Sequence, residues 1–213
     1  MKIGYLLALG FGEAGAKIIA SNIGAQGDLD PMMAGQRVHA IFGFCDIRNF
    51  TDSTEVLQTQ VMLFVNQIAE ITHSMVDKHG GSANKNIGDA FLLVWKFKNQ
   101  EEFQNELKPG EARKVTRENQ NVSDLALFSF LKIIAKINKF THILQYCKDP
   151  GLNERMPGYK VKMGFGLHQG WAIEGAIGSI HKIDASYLSP NVNMASRLEA
   201  ATKQYGVPLL VSG

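Results

Sequence analysis

At 213 residues, with a net charge of +2 and 45% apolar residues, the chain is long enough to bury a substantial core and is most economically one domain. The near balance of charge, with no Lys/Arg run interleaved with aromatics, argues against nucleic acid as a partner. Cys45 and Cys147 stand in unrelated settings without CxxC or Cys/His spacing, which points to a reducing compartment and away from zinc.

Residues 1–35 read as a helix-prone lead or linker, with Leu6, Leu7, Ile18 and Ile19 separated by small residues. Tyr5 to Phe11 is too short and too broken by glycine to span a bilayer. Lys2 alone would be the basic region of a signal peptide, so none is expected. The expected setting is a cytoplasmic domain, attached to a membrane only through parts of a larger parent protein.

Val38 to Cys45 is an apolar run of the length and type of a buried strand. It ends on Asp46, at the carboxyl edge of the strand, where open α/β sheets place ligands. The backbone N–H groups of Ile47 to Thr51 are then candidates for cradling phosphate. Asp52 with Glu55 reads as a capping pair. From Glu55 to Lys78 apolar residues recur at helical spacing until Gly80-Gly81. Ser82 to Ile87 and Ala90 to Trp95, separated by Gly88-Asp89, describe a hairpin. A right-handed crossover between the first strand and this hairpin brings Asp46 and Asp89 to one edge. Two converging carboxylates suit magnesium or manganese, and two such ions about 4 Å apart clamp the attacking and leaving oxygens of a phosphoryl or nucleotidyl transfer. Taken singly, each aspartate reads first as an ordinary turn residue, and only their convergence brings the metal reading level with it.

Lys98 to Asn121 is polar and contains Pro109-Gly110, an exposed insertion over about 98–122. Ser123 is the expected cap of a second amphipathic helix, whose apolar face would be Leu125, Leu127, Phe128, Leu131, Ile134 and Ile137. Pro150-Gly151 and Pro157-Gly158 bracket a loop. Val161 to Leu167 and Trp171 to Ile177 read as two strands joined by a turn at His168-Gln169-Gly170. Ser189 at a cap, Pro190 at the first helical position and Gly206 with Pro208 at the end delimit a last helix. Asn193 and Arg197 share one face of it, suited to a ribose and to phosphate oxygens.

Four ordered blocks, FCDIRNFT from Phe44, KNIGDAF from Lys85, GFGLHQGWAIEGAIG from Gly164 and NVNMASRLEAA from Asn191, resemble the catalytic domain of class III nucleotidyl cyclases, the adenylyl and guanylyl cyclases. The resemblance covers most of residues 36–213. It implies an α+β fold, a ferredoxin-like central mixed β-sheet flanked by helices, with the active site at a homodimer interface. It further implies two Mg2+ or Mn2+ ions per site at Asp46, Ile47 and Asp89, and a phosphate-binding turn at Arg48, Asn49, Phe50 and Thr51. Asn193 and Arg197 take the ribose-orienting and transition-state roles.

Lys85 stands where adenylyl cyclases carry lysine. Because lysine donates and adenine N1 accepts, ATP is favoured over GTP. Ser186 falls at the second base-contacting position, and Asp184, on the same strand face, is its alternative. Two departures stand out: Pro190-Asn191 at the helix entry, and the absence before Gly213 of the region supplying a phosphate-binding lysine, so that a C-terminally truncated piece of a larger protein is expected. The competing readings are a guanylyl cyclase, a silent cyclase-like dimerisation or regulatory module, a haloacid-dehalogenase-like phosphohydrolase and a palm-type nucleotidyl transferase. The dehalogenase pattern wants a second aspartate where Arg48 stands. A palm-type enzyme wants a basic template groove that the composition lacks.

Overall fold

The computed structural model describes residues 15–16, 34–103, 114–179 and 181–212, so the lead expected over 1–35 lies almost wholly outside it. The strands are β1 (Gln36–Ile47), β2 (Ser82–Ile87), β3 (Ala90–Lys96), β4 (Met163–Ser179), β5 (Lys182–Leu188) and β6 (Leu209–Val211). The helices are α1 (Phe50–Leu57), α2 (Val61–Lys78), α3 (Arg117–Ile137), α4 (Thr141–Leu144), α5 (Pro150–Arg155) and α6 (Pro190–Tyr205). The strands run in the order β2-β3-β1-β4-β5, with β6 added parallel to β4. Every other pairing is antiparallel, so the sheet is mixed, as expected. β1 and β2 both run against β3 and are therefore parallel to each other. The sheet curls until its edge strands meet, Asn84 Nδ2 on β2 donating to Ala185 O on β5 at 3.3 Å.

The main core lies on the face covered by α2 and α3, where Phe64, Ile68, Phe91, Trp95, Phe130 and Phe165 interlock. Gly43 makes this possible, since a Cβ there would stand 2.6 Å from Phe130 Cζ and 2.9 Å from Trp95. A smaller cluster on the opposite face, from Val38, Ala40, Phe42, Val94, Ala172, Tyr187 and Ala195, seats α6.

Several expectations are corrected. Asp52 and Glu55 cap nothing: Asn49, in the left-handed region at φ 56°, precedes α1 without a side-chain cap, and both acids pair instead with Arg155 of α5. The single helix expected from Glu55 to Lys78 is broken at Gln58, whose φ is 49°. The stretch bracketed by the two Pro-Gly pairs contains α5, capped by the Asp149 carboxylate. α3 starts six residues before Ser123, with Thr116 accepting from Asn119 N–H.

Part of the polar insertion is packed. Phe103 stacks on Phe97 and His39, and the buried Asn119 amide accepts from Lys98 N–H and donates to Asn99 O. The face of α3 is also rotated. Ala126, Phe130, Ile133 and Ile137 are buried, whereas Leu125, Leu127, Phe128 and Leu131 are 39–50% exposed. The helix is apolar around much of its circumference, so its period alone does not select the seam. Finally, β4 is one 17-residue strand straight through His168-Gln169-Gly170. Gly170 is small there because Asn191 of α6 lies against it, and no turn is involved. Among the described residues no helix is long and apolar enough to cross a membrane.

Candidate active site

Asp46 sits at the end of β1 opposite Ala90 of β3 and Gly164 of β4. Asp89 occupies the tight β2–β3 turn beside Gly88, whose φ of 65° suits a residue without Cβ. Ile47 N–H donates to Asp89 O at 3.3 Å, which ties the turn to the strand end. The two aspartates therefore emerge at one edge, as the crossover argument requires. Burial and then the Asp89 charge raise the Asp46 carboxyl above the ordinary carboxylate range, opposed by Lys203 and Arg48. Two carboxylates that repel each other at a half-buried edge are matched by a hard divalent cation with oxygen ligands. No cluster of three or more acidic, His or Cys ligands occurs among the described residues.

In the turn after Asp46, Ile47 and Arg48 have committed N–H groups, Arg48 donating to Lys162 O at 2.9 Å. Only the segment from Asn49 through Phe50 and Thr51 opens the first turn of α1. The Arg48 guanidinium points inward. Its Nη1 lies 2.7 Å from Glu199 Oε1 and 3.7 Å from Asp46 Oδ1, and Nη2 reaches the Thr202 hydroxyl. Gly164 leaves the space that this guanidinium fills, and Gly166 lets the α6 backbone lie directly on β4. Burial raises the Glu199 carboxyl and Arg48 lowers it. Lys203 Nζ completes the cluster at 4.0 Å from Asp46.

α6 begins as expected. Ser189 Oγ accepts from Asn191 N–H at 3.0 Å and donates to Trp171 O at 2.6 Å, and Gly206 ends the helix at φ 66°. Asn191 Nδ2 donates to Trp171 O at 2.8 Å, while its Oδ1 faces His168 Nε2 at 3.1 Å. Ala195, Glu199 and Thr202 are the buried residues of the helix, whereas Asn193 and Arg197 are exposed. At about 100° per residue the exposed pair lies on the side of α6 opposite Ala195. Within one chain they face away from the Asp46 edge.

At the far seam of the sheet, Lys85 Nζ stands 3.7 Å from Asp184 Oδ2. Ser186, two residues on along β5, is 9% exposed. The structure thus gathers Lys85, Asp184 and Ser186 at one place, Asp46 and Asp89 at a second, and Asn193 and Arg197 at a third. Sequence reasoning missed the Arg48–Glu199 pair, which joins positions 151 apart and carries no local signal. It also missed Lys203, one turn beyond Glu199 on the same side of α6.

The family model of the adenylate and guanylate cyclase catalytic domain matches residues 35–210; a short match to the all-helical domain of RasGEFs covers residues 1–24. The chain is 26% identical over 171 residues to an adenylate cyclase of Anabaena cylindrica, covering 79% of this chain and 28% of that protein. It is also 26% identical over 170 residues to the terminal-differentiation-specific adenylate cyclase of Dictyostelium discoideum, covering 79% of this chain and 7% of that protein. The chain therefore spans under a third of the length of either relative. Among solved structures, a bacterial light-regulated adenylyl cyclase superposes with a TM-score of 0.64 at 28% identity, over 88% of this chain and 46% of that one.

Proposed function

We propose that this chain, which belongs to the adenylate and guanylate cyclase catalytic-domain family, converts ATP to 3′,5′-cyclic AMP and pyrophosphate as a homodimer. The observation that carries the reading is the division of labour across α6. Asp46 and Asp89 converge on one side, while Asn193 and Arg197 are exposed on the other. A second copy that brings its Asn193 and Arg197 to the aspartates of the first makes two equivalent sites.

In each site Asp46 and Asp89, with the Ile47 main chain, would hold two Mg2+ or Mn2+ ions, which would supply positive charge to the ribose 3′-oxygen and to the phosphates. The 3′-hydroxyl gives up its proton to water, its oxygen attacks the α-phosphorus, and the bond from the α-phosphorus to the bridging oxygen breaks, so that pyrophosphate leaves. Asn193 orders the ribose. Arg197 neutralises charge building on the α-phosphate, a contribution of roughly 3–4 kcal/mol in comparable sites. The N–H groups from Asn49 to Thr51 receive phosphate oxygens at the start of α1. Arg48, held by Glu199, keeps Asp46 from drifting. Lys85 donates to adenine N1, with Asp184 and Ser186 beside it on β5. Mg2+ or Mn2+ is the cofactor class expected from the donor set, and ATP is preferred over GTP on the Lys85 chemistry.

The test is turnover of manganese-ATP and manganese-GTP in separate reactions, assayed for cyclic nucleotide beside Asp46→Asn. Cyclic AMP that falls at least 100-fold in the variant is the expected result, a loss typical of removing one directly acting group. Dominant cyclic GMP overturns the base assignment, and no cyclic product from either nucleotide overturns the function.

A further inference from the structure

Where the curled sheet brings its edge strands together, β2 carries Asn84 and Lys85 and β5 carries Asp184 and Ser186, with Lys85 paired to Asp184 and Asn84 bonded to Ala185 O. The β2–β3 ladder shifts register between Ala83 and Lys85, so Asn84 is an extra residue with no partner on β3. Such a bulge re-aims a side chain, and this one sends the Asn84 amide across to β5, where Nδ2 donates to Ala185 O at 3.3 Å. Only a nitrogen can donate to that carbonyl, so the orientation of the amide is settled by its partner. The other end of the amide, Oδ1, is then buried and without a hydrogen-bond donor among the described residues. Asn84 as a whole is only 9% exposed.

A buried, unpaired acceptor is costly to keep. The seam contains a second acceptor, but the Asp184 carboxylate is already shared between Lys85 at 3.7 Å and Lys182 at 3.9 Å. Asn84 Oδ1 is thus an uncommitted acceptor on the residue preceding Lys85 in β2, and both residues reach toward β5, Asn84 to Ala185 O and Lys85 to Asp184. One class of ligand presents the complementary pair on adjacent atoms. Adenine carries the 6-amino donor next to N1, an acceptor. Guanine at the same position would set its 6-oxo group against Oδ1, acceptor against acceptor.

We infer that Asn84 is a base-reading residue, its Oδ1 accepting a hydrogen bond from the 6-amino group of the adenine while Lys85 donates to N1. The inference rests on the cyclase reading above and adds to it the residue that recognises the amino group. Asn84 is a specificity-determining side chain and takes no part in the bond changes.

The experiment compares kcat/KM for ATP and for purine riboside 5′-triphosphate, which lacks the 6-amino group, in the unaltered protein, in Asn84→Leu and in Asn84→Asp. The unaltered protein prefers ATP by roughly 10- to 100-fold, the worth of one hydrogen bond to a buried group. Asn84→Leu removes both the amino-group contact and the tie to Ala185 O, so it lowers kcat/KM for both substrates, but it lowers ATP by the further roughly 10- to 100-fold and brings the two to one level. Asn84→Asp keeps an acceptor and keeps the preference, so the proposal stays testable if Asn84→Leu does not fold. Equal losses for both substrates in Asn84→Leu make Asn84 only a tie between strands and overturn the inference. A preference that survives in Asn84→Leu, disappears in Asn84→Asp, or is absent from the start overturns it too. If the unaltered protein forms no cyclic product, the function reading fails separately. The same cycle is then read from the dissociation constants of the two triphosphates by calorimetry, with the same expected and opposing results.

Discussion

Replacing Arg48 with methionine leaves the Glu199 carboxylate buried at 6% exposure without its 2.7 Å partner. Breaking a buried ion pair from one side costs about 3–5 kcal/mol, because the remaining charge stays desolvated. For a chain of this size each kcal/mol moves the thermal midpoint by about 2–4 °C, so Arg48→Met lowers it by roughly 6–20 °C. Glu199→Leu alone leaves the guanidinium with Asp46 at 3.7 Å and the Thr202 hydroxyl and costs somewhat less, about 2–4 kcal/mol. Arg48→Met combined with Glu199→Leu removes both charges and recovers to within about 1.5 kcal/mol of the unaltered protein. The Glu199 carboxyl is raised by burial and lowered by Arg48, so without Arg48 it is protonated more readily. The penalty of the single variant therefore shrinks as the pH falls. Urea unfolding of the four proteins at pH 7.5 and pH 5 measures the cycle. Single variants that lose under 1 kcal/mol, or a double variant that loses the sum of the two, refute the argument that this pair fastens α6 to the Asp46 edge.

His73, half-buried on α2 and edge-on to Phe91 at 5.5 Å, has its pKa lowered by burial from the ordinary 6.5, against an Asn86 hydrogen bond and the Glu70 charge. A depressed histidine contributes stability above its unfolded pKa and loses it as pH falls through the folded one. Stability thus declines below about pH 6.5, and a stability–pH profile of His73→Gln is flatter there. Gly166→Ala places a Cβ against the Ala195 carbonyl and 2.5 Å from Glu199 N, which lifts α6 from β4; a loss of about 1–3 kcal/mol with a larger drop in kcat than in KM is the expected outcome of unfolding and kinetic assays. Ser189→Ala removes both the cap and the bond to Trp171 O and costs about 1–2 kcal/mol in urea unfolding.

What the sequence displayed was local chemistry. Gly88-Asp89 between two apolar runs is a hairpin because glycine adopts the positive φ found there, and Ser189-Pro190 starts a helix because its cap and its first turn are both preset. The meeting of Asp46 and Asp89 followed from crossover handedness and two strand ends. What the sequence concealed depends on the third dimension. His168-Gln169-Gly170 has turn composition, yet it runs as strand because α6 presses Asn191 onto Gly170. The buried face of α3 is chosen by Gly43, which admits Phe130, a match between residues far apart in the chain. Asp52 and Glu55 have the spacing of a cap and are held instead by Arg155, 103 and 100 positions away. The bulge at Asn84 leaves no mark in Ser82 to Ile87, where Asn84, Lys85 and Asn86 are all polar and no break in period shows which residue leaves the ladder.

The claim at the centre of this account is that one chain supplies the metal-holding aspartates and its partner supplies Asn193 and Arg197. Asp46→Asn and Arg197→Ala, each prepared alone, are expected to be nearly inactive. Mixed in equal amounts and allowed to exchange subunits, half of the dimers are mixed, and each mixed dimer has one intact site of two. The mixture therefore regains roughly a quarter of the unaltered cyclic AMP production, by the statistics of a symmetric dimer. A mixture that stays as inactive as its components, while light scattering shows that subunits have exchanged, contradicts the account.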